Sequence, residues 1–482
     1  MKREKGEKRP KQKAFSTINT NAFITVVTIL TVILFLCGAL SYFVPQGSFE
    51  RDVNGEIITD SYTRQEVSGI AFWRVLTAPV RVFASSDALT IIMISVFLLV
   101  MSGIFNILEK TGGVKTFITY IMTHMRGQGR AVVCITVLVF MLFGSLFGMF
   151  EELVTLLPLI IVFMLSMGLD TMTGLGTCLM AACFGFSAAI TNPFSVGIAS
   201  QYAGVHVSAG LWLRVVFFLL VYVFVCGFLL LHLRRIRREP ALSPTFEADR
   251  LRRETLNPEA EALNAEQLRG ARIYGGFFLL QALILVLVAS VRAISGYAIP
   301  ILAASFLIFG VTAGLLVSRD GRLVARSFFQ GAGAMAPAVL MIALASSVKL
   351  VMEESGIIDT IMYAVLSRLD GMGKFPALLM IYGLILFLQL FIGSATAKIV
   401  LIMPIIVPIA KALGISPNLV ILTYCMADGF SDVIMPTNPV LLIGLSMANV
   451  SYVQWVKWTW KLQLTVFALS VLVLFFGVRI GY

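Results

Sequence analysis

The chain has 482 residues, of which 58% are hydrophobic and only 13% charged. A soluble domain is about half apolar and about a quarter charged, so too little polar surface is left here to face water, which excludes a soluble enzyme and a disordered chain. Basic residues outnumber acidic ones 37 to 26, a formal net charge of +11, and the excess is unevenly placed.

Residues 1–21 form a basic tail carrying Lys2, Arg3, Lys5, Lys8, Arg9, Lys11 and Lys13. Such a tail beside a first membrane helix marks the cytoplasmic side, not a nucleic-acid partner. The apolar run 22–44 is long enough to span a bilayer. No small-residue cleavage site follows it, so it reads as an anchor, not a signal peptide. Segment 45–87 mixes acids and bases and reads as external. Segment 88–108 returns, and 109–130 is cytoplasmic with an amphipathic surface helix. Runs 131–143 and 153–167 are apolar but short, with GSLFGMFEE between them. Two full spans would put two carboxylates at a water-facing turn. A re-entrant hairpin would put Gly144, Gly148, Glu151 and Glu152 near the membrane middle. Charge counting does not separate the two; short helices beside a broken helix favour the hairpin.

Segment 173–201 crosses outward and 211–233 returns. Residues 234–272 carry RRIRR among Glu, Pro, Asn and Ser, and read as a solvated cytoplasmic linker. A connecting helix at 273–296 adds one crossing, which inverts everything after it. Runs 297–318 and 333–352 then match the first two spans. Run 375–413 is a second hairpin with tip IGSATAK, 419–447 is a second broken helix, and 460–480 ends the chain outside. The expectation is an all-α polytopic membrane protein of about nine crossings and two re-entrant hairpins. Its two inverted repeats, 22–233 and 297–482, each hold a broken helix.

The repeat is written in the residues. Pro158, Gly168, Ala181, Phe184, Thr191, Asn192 and Pro193 match Pro404, Gly414, Ala427, Phe430, Thr437, Asn438 and Pro439, each pair 246 residues apart. ILEKTGGVKT at 107–116 also resembles VMEESGIIDT at 351–360. A T-N-P shared at one constant shift is hard to obtain by chance. The six cysteines sit in apolar stretches without a C-x-x-C pair, so neither a disulfide framework nor a metal site is expected. His124, His206 and His232 read as interfacial residues.

A proline within a spanning helix removes an N–H and frees backbone carbonyls. Lipid cannot satisfy them, whereas in a protein-lined cavity they can coordinate an ion. Intramembrane charges are costly and therefore functional candidates, and Glu151, Glu152, Lys398, Asp428 and Asp432 all fall at the tips or breaks. Glu152 and Lys398 occupy equivalent positions. Four carboxylates against one ammonium favour a cation or an amino-bearing solute. Candidate substrate residues are Glu151, Glu152, Ser187, Asn192, Ser394, Thr396, Asp428 and Asn438; candidate ion-coupling residues are Ser145, Thr191, Lys398, Asp432 and Thr437. Sodium or proton coupling is expected, with no cofactor. The carried solute is an amino acid or, as an alternative, a dicarboxylate. A channel and an intramembrane enzyme are the rival classes; matched broken helices speak against the first, and missing catalytic motifs against the second.

At NPFSVGIAS with SAGLWLR, at DGFSD and PTNP with VQWVKW, and at SYFVPQGSFER, the chain resembles the YfcC-like branch of the C4-dicarboxylate anaerobic carrier family, within the ion transporter superfamily. The resemblance implies a homodimeric secondary carrier of the prokaryotic plasma membrane, with a scaffold and a transport domain moving as an elevator. Its branch is associated with basic amino acids, and the parent name with dicarboxylates. Two departures alter charge in the second half-site: the tip reads IGSATAK where S-G-S-G is usual, and Asp432 stands where an Asn is usual. Lys398 is expected to fill a sodium position and pair with Asp432.

Overall fold

The computed structural model describes residues 20–50, 61–65, 67–85, 88–113, 129–256, 265–291, 297–369 and 371–482. The basic tail, most of the expected surface helix and His124 lie outside this set. The described chain is almost entirely helical, with one two-stranded hairpin pairing Gly47–Ser48 with Thr63–Arg64. Seven described helices are long and apolar enough to cross a membrane.

The first half runs α1 (Thr20–Leu40), α2 (Phe72–Arg81) and α3 (Ala88–Lys110). Next comes α4 (Gly129–Leu142), running into a π turn, Phe143–Phe147. A 3-10 turn, Glu152–Leu156, leads into α5 (Leu157–Ser166). Helix α6 (Thr171–Ser187) starts on an Asp170 N-cap and stops before residues 188–192. The chain resumes through a π turn, Pro193–Gly197, into α7 (Ile198–Ala203), followed by α8 (Leu211–Arg238). Between the halves stand α9 (Phe246–Leu256) and α10 (Ala265–Ser290). The second half holds α11 (Ala298–Ser318), α12 (Gly321–Glu354), α13 (Ile357–Leu366), α14 (Lys374–Leu388), α15 (Ala395–Ala412), α16 (Pro417–Asp432), α17 (Pro439–Ala448) and α18 (Tyr452–Arg479).

Two groups of helices pack mainly within themselves. One holds α1, α2, α3, α10, α11 and α12. Its tightest seam is α3 on α12, where a Cβ at Gly331 would collide with the Ser102 carbonyl. There Ser102 Oγ donates to Gly331 O at 2.7 Å and Asn106 Nδ2 to Ser327 O at 2.6 Å. The second group holds α4–α8 and α14–α18, joined by α9.

Contacts at the helix ends fix their directions. The start of α8 meets the end of α18, where the Tyr482 hydroxyl donates to Gly210 O and its ring packs on Trp212. The far end of α8 meets the start of α18, where Phe228 and His232 pack on Trp458. These two helices, matched by the 246-residue shift, run antiparallel. Helix α4 starts at Gly129, against Arg237 and Leu169, so α5, which ends just before Leu169, returns to that same side. Helix α14 starts beside Phe475 and α15 ends at Gly414 beside Lys374, on the opposite side.

Two expectations need correction. The 234–272 segment is not simply a solvated linker: α8 extends to Arg238, α9 docks on the second group, and α10 begins at Ala265. Docking follows from side chains that find buried partners there, chiefly Asp249. The 333–352 run is the latter part of a 34-residue helix beginning at Gly321. Nothing between 321 and 333 breaks it, so one helix covers what α2 and α3 cover with a bend.

Candidate functional site

The two broken helices enter from opposite sides and meet where each one stops. A Cβ at Gly429 of α16 would collide with the Ser187 amide nitrogen at the end of α6, so only glycine permits the crossing. Ser187 Oγ donates to Met426 O at 3.0 Å across it. Each second half-helix opens on Pro193 or Pro439, whose missing N–H costs nothing in a first turn. Each is capped by the preceding asparagine. Asn192 Oδ1 accepts from Phe194 N and Ser195 N; Asn438 Oδ1 accepts from Val440 N and Leu441 N.

The first tip closes on the first break. Ser145 O accepts the amides of Ile190, Thr191 and Asn192 at 3.0–3.3 Å, and Ser145 Oγ donates to Ala188 O at 2.6 Å. Gly148 has φ +70, and a Cβ there would collide with Asn192 Oδ1. Thr191 Oγ1 donates to Leu146 O at 3.2 Å from an exposed position. The Asn192 Nδ2 group is buried without a partner among the described residues.

The second tip carries the charge. Ser394 caps α15 by accepting from Ala397 N, and the Tyr424 hydroxyl donates to Ala395 O at 2.7 Å. One turn into α15, fully buried Lys398 forms an ion pair with Asp428, itself 1% exposed. Asp432, one turn further along α16, is held by Gln389 Nε2 at 2.6 Å and Asn438 Nδ2 at 3.1 Å. Thr437 Oγ1 donates to Gln389 O at 3.2 Å.

The model of the C4-dicarboxylate anaerobic carrier family matches residues 13–479. The chain belongs to that family. It is therefore a multi-pass membrane carrier and not an enzyme. A protein of Escherichia coli (strain K12) named "Putative basic amino acid antiporter YfcC" is 27% identical over 406 residues, 82% of this chain and 79% of its own. An uncharacterized protein of Haemophilus influenzae is 27% identical over 369 residues, covering 76% of this chain and 71% of its own. The solved Alcanivorax borkumensis YdaH transporter is 18% identical and covers 95% of this chain and 98% of that one, with a TM-score of 0.44. That superposition is too loose to add to the geometry here.

In this carrier the pairing expected between Lys398 and Asp432 is replaced by one between Lys398 and Asp428. The Asp432 carboxylate already has two amide donors, and Asp428 lies one helical turn nearer the start of α16. Four carbonyls at the breaks, expected as ion ligands, are taken by side chains. Ser145 serves Ala188 O, Arg214 Nη1 serves Ile190 O at 2.7 Å, Trp455 Nε1 serves Val433 O at 2.7 Å and the Tyr452 hydroxyl serves Ile434 O at 2.5 Å. Arg214 and Gln389 were not among the expected site residues. Arg214 stands in the apolar first part of α8 and Gln389 just past α14, each opposite an aromatic residue 246 positions away, Trp460 and Phe143, and that is the only signal they give. Glu151 is half-buried beside the first tip, Thr396 is half-buried and Ser394 exposed near the second. Glu152 opens the 3-10 turn, but its side chain lies outside what is described.

Proposed function

We propose that the carrier moves an amino acid, a basic one included, by alternating access at the junction of the two breaks. One observation carries this reading: acidic side chains and a helix N-terminus share the junction. Asp428, Asp432 and Glu151 suit an ammonium group, while the first turn of α15, at Ala395 and Thr396, presents backbone N–H groups that suit a carboxylate. An amino acid has both charges. The antiparallel run of α8 and α18 and the opposite entry of the α4–α5 and α14–α15 pairs support inverted repeats with two re-entrant hairpins. The two helix groups support a scaffold and a transport domain moving as an elevator in a homodimer, within a plasma membrane whose cytoplasmic face holds the basic tail. The name of the Escherichia coli relative agrees with a basic amino acid and with exchange.

The buried Lys398 ammonium occupies the second half-site as a fixed cation, so we read the carrier as an exchanger or a proton-coupled carrier without sodium there. A dicarboxylate reading is favoured by Arg214, a second buried cation, yet its guanidinium is committed to the carbonyls of Ile190, Val207 and Ala209. Uptake by purified protein in liposomes, against a panel of amino acids and C4-dicarboxylates, tests the assignment. Transport of dicarboxylates with no amino acid taken up or exchanged overturns it.

A further inference from the structure

Away from the breaks, α9 and the turn before it close a cavity of about 510 Å³ against Gly168, Asp170 and the end of α8. Three arginines line it, Arg237, Arg250 and Arg253, with two carboxylates, Asp170 and Asp249. The carboxylates are saturated. Asp170 accepts from the Thr173 amide and hydroxyl, from Ser243 Oγ at 2.6 Å, and bonds His232 Nε2 at 2.8 Å. Asp249 accepts from the Thr171 amide at 2.9 Å and from the hydroxyls of Thr171 and Thr245.

The guanidinium groups are not saturated. Arg253 gives Nη2 to Leu169 O at 2.6 Å, but its buried Nε has no partner among the described residues. The ion pair of Arg250 with Glu247 sits at 58% and 70% exposure, where such a pair is weak and easily exchanged. Arg237 lies exposed in the last turn of α8. The cavity thus has a surplus of donors on planar, permanently charged forks, which match the oxygens of a phosphate group better than any neutral ligand.

We propose that this cavity binds a phosphate-bearing anion, held by Arg237, Arg250 and Arg253. Two sources share that chemistry: a soluble phosphate compound, and the headgroup of an acidic phospholipid, which basic residues at the end of a spanning helix are placed to meet.

The test uses the full-length purified protein. Thermal unfolding, followed by tryptophan fluorescence, is titrated with inorganic pyrophosphate in lipid-free detergent, against sodium chloride at equal ionic strength. A second arm titrates cardiolipin against phosphatidylcholine in mixed micelles. A saturable rise in the midpoint is expected in at least one arm. The double variant Arg237→Gln, Arg250→Gln leaves the Arg252 and Arg253 contacts in place and should raise the half-saturation concentration about tenfold. Saturation with pyrophosphate assigns a soluble ligand; saturation with cardiolipin alone assigns the lipid headgroup. No saturable shift in either arm, or the same half-saturation in parent and variant, overturns the proposal.

Discussion

Lys398 and Asp428 are both almost fully withdrawn from solvent, and each makes the other tolerable. Removing one partner from a buried pair leaves an uncompensated charge, which costs about 3–5 kcal/mol, while replacing both with apolar groups is often neutral. Lys398→Ala and Asp428→Asn should therefore each lower the unfolding midpoint in detergent, and the double variant Lys398→Met, Asp428→Leu should recover most of the loss. Equal stability of parent and single variants would remove the pair from the account of stability. Coupling can be read on the same residue. Parent transport should persist when sodium is replaced by choline, and Lys398→Ala should either impair transport or make it sodium-dependent; strong sodium dependence of the parent with a normal Lys398→Ala variant would sink the fixed-cation reading. Glu151→Gln should reduce uptake of an amino-bearing solute without changing the unfolding midpoint, and unchanged uptake and affinity would leave Glu151 with no part in binding.

Among the elements, α9 shows most plainly what a sequence withholds. It ties the two halves: Arg252 donates to Thr171 Oγ1 at 3.0 Å in the first and to Ala448 O at 2.9 Å in the second, while His232, buried and not interfacial, bonds Asp170 and receives Trp458 Nε1 at 3.2 Å. Burial alone would raise the Asp170 carboxyl, but the hydrogen bond from His232, with donors from Ser243 and Thr173, holds it at about 2, below its usual 3.8. A depressed carboxyl stabilises the folded state above its unfolded value, and that contribution is lost as pH falls through the folded one. Asp170→Asn should thus cost about 2 kcal/mol near pH 7 and progressively less from about pH 4 down to pH 2, where parent and variant converge. A constant difference across that range would show that the carboxylate charge is not what holds the segment. The T-N-P residues and the acids Asp428 and Asp432, which the structure brings close together, are legible in the sequence because prolines and acids in apolar runs announce themselves. Sequence reading missed α9 because a helix of Glu, Asp and Arg looks solvated until its tertiary partners are known. It mispaired Lys398 because choosing between carboxylates one turn apart requires the rotation of α15 against α16.

The repeat and its inversion are separate properties of the chain. The shift of 246 residues is a property of the sequence, whereas inversion is a statement about direction through a membrane. The contacts that bear on it are long-range: Gly129 lies with Arg237 and Leu169, on the side where α9 docks, while Lys374 lies with Gly414, on the side where Tyr482 meets Gly210. Arg130 and Lys374 are exposed residues at the starts of the two matched hairpins, and inversion requires them to face opposite solutions. Glu247 on α9 and His206 before α8 are exposed references for the two sides. The native cysteines are buried apart from the partly buried Cys134, which keeps their background labelling low. Single cysteines at these four positions should separate into two classes toward a membrane-impermeant maleimide applied to intact spheroplasts. His206→Cys and Lys374→Cys should label from outside, and Arg130→Cys and Glu247→Cys only after permeabilisation, because the basic tail keeps the first end of the chain inside. Reversal of all four would leave inversion standing and overturn the orientation alone. Labelling of Arg130→Cys and Lys374→Cys from the same side would overturn inversion itself, and with it the reading of α6 and α16 as half-sites approached from opposite faces of the membrane.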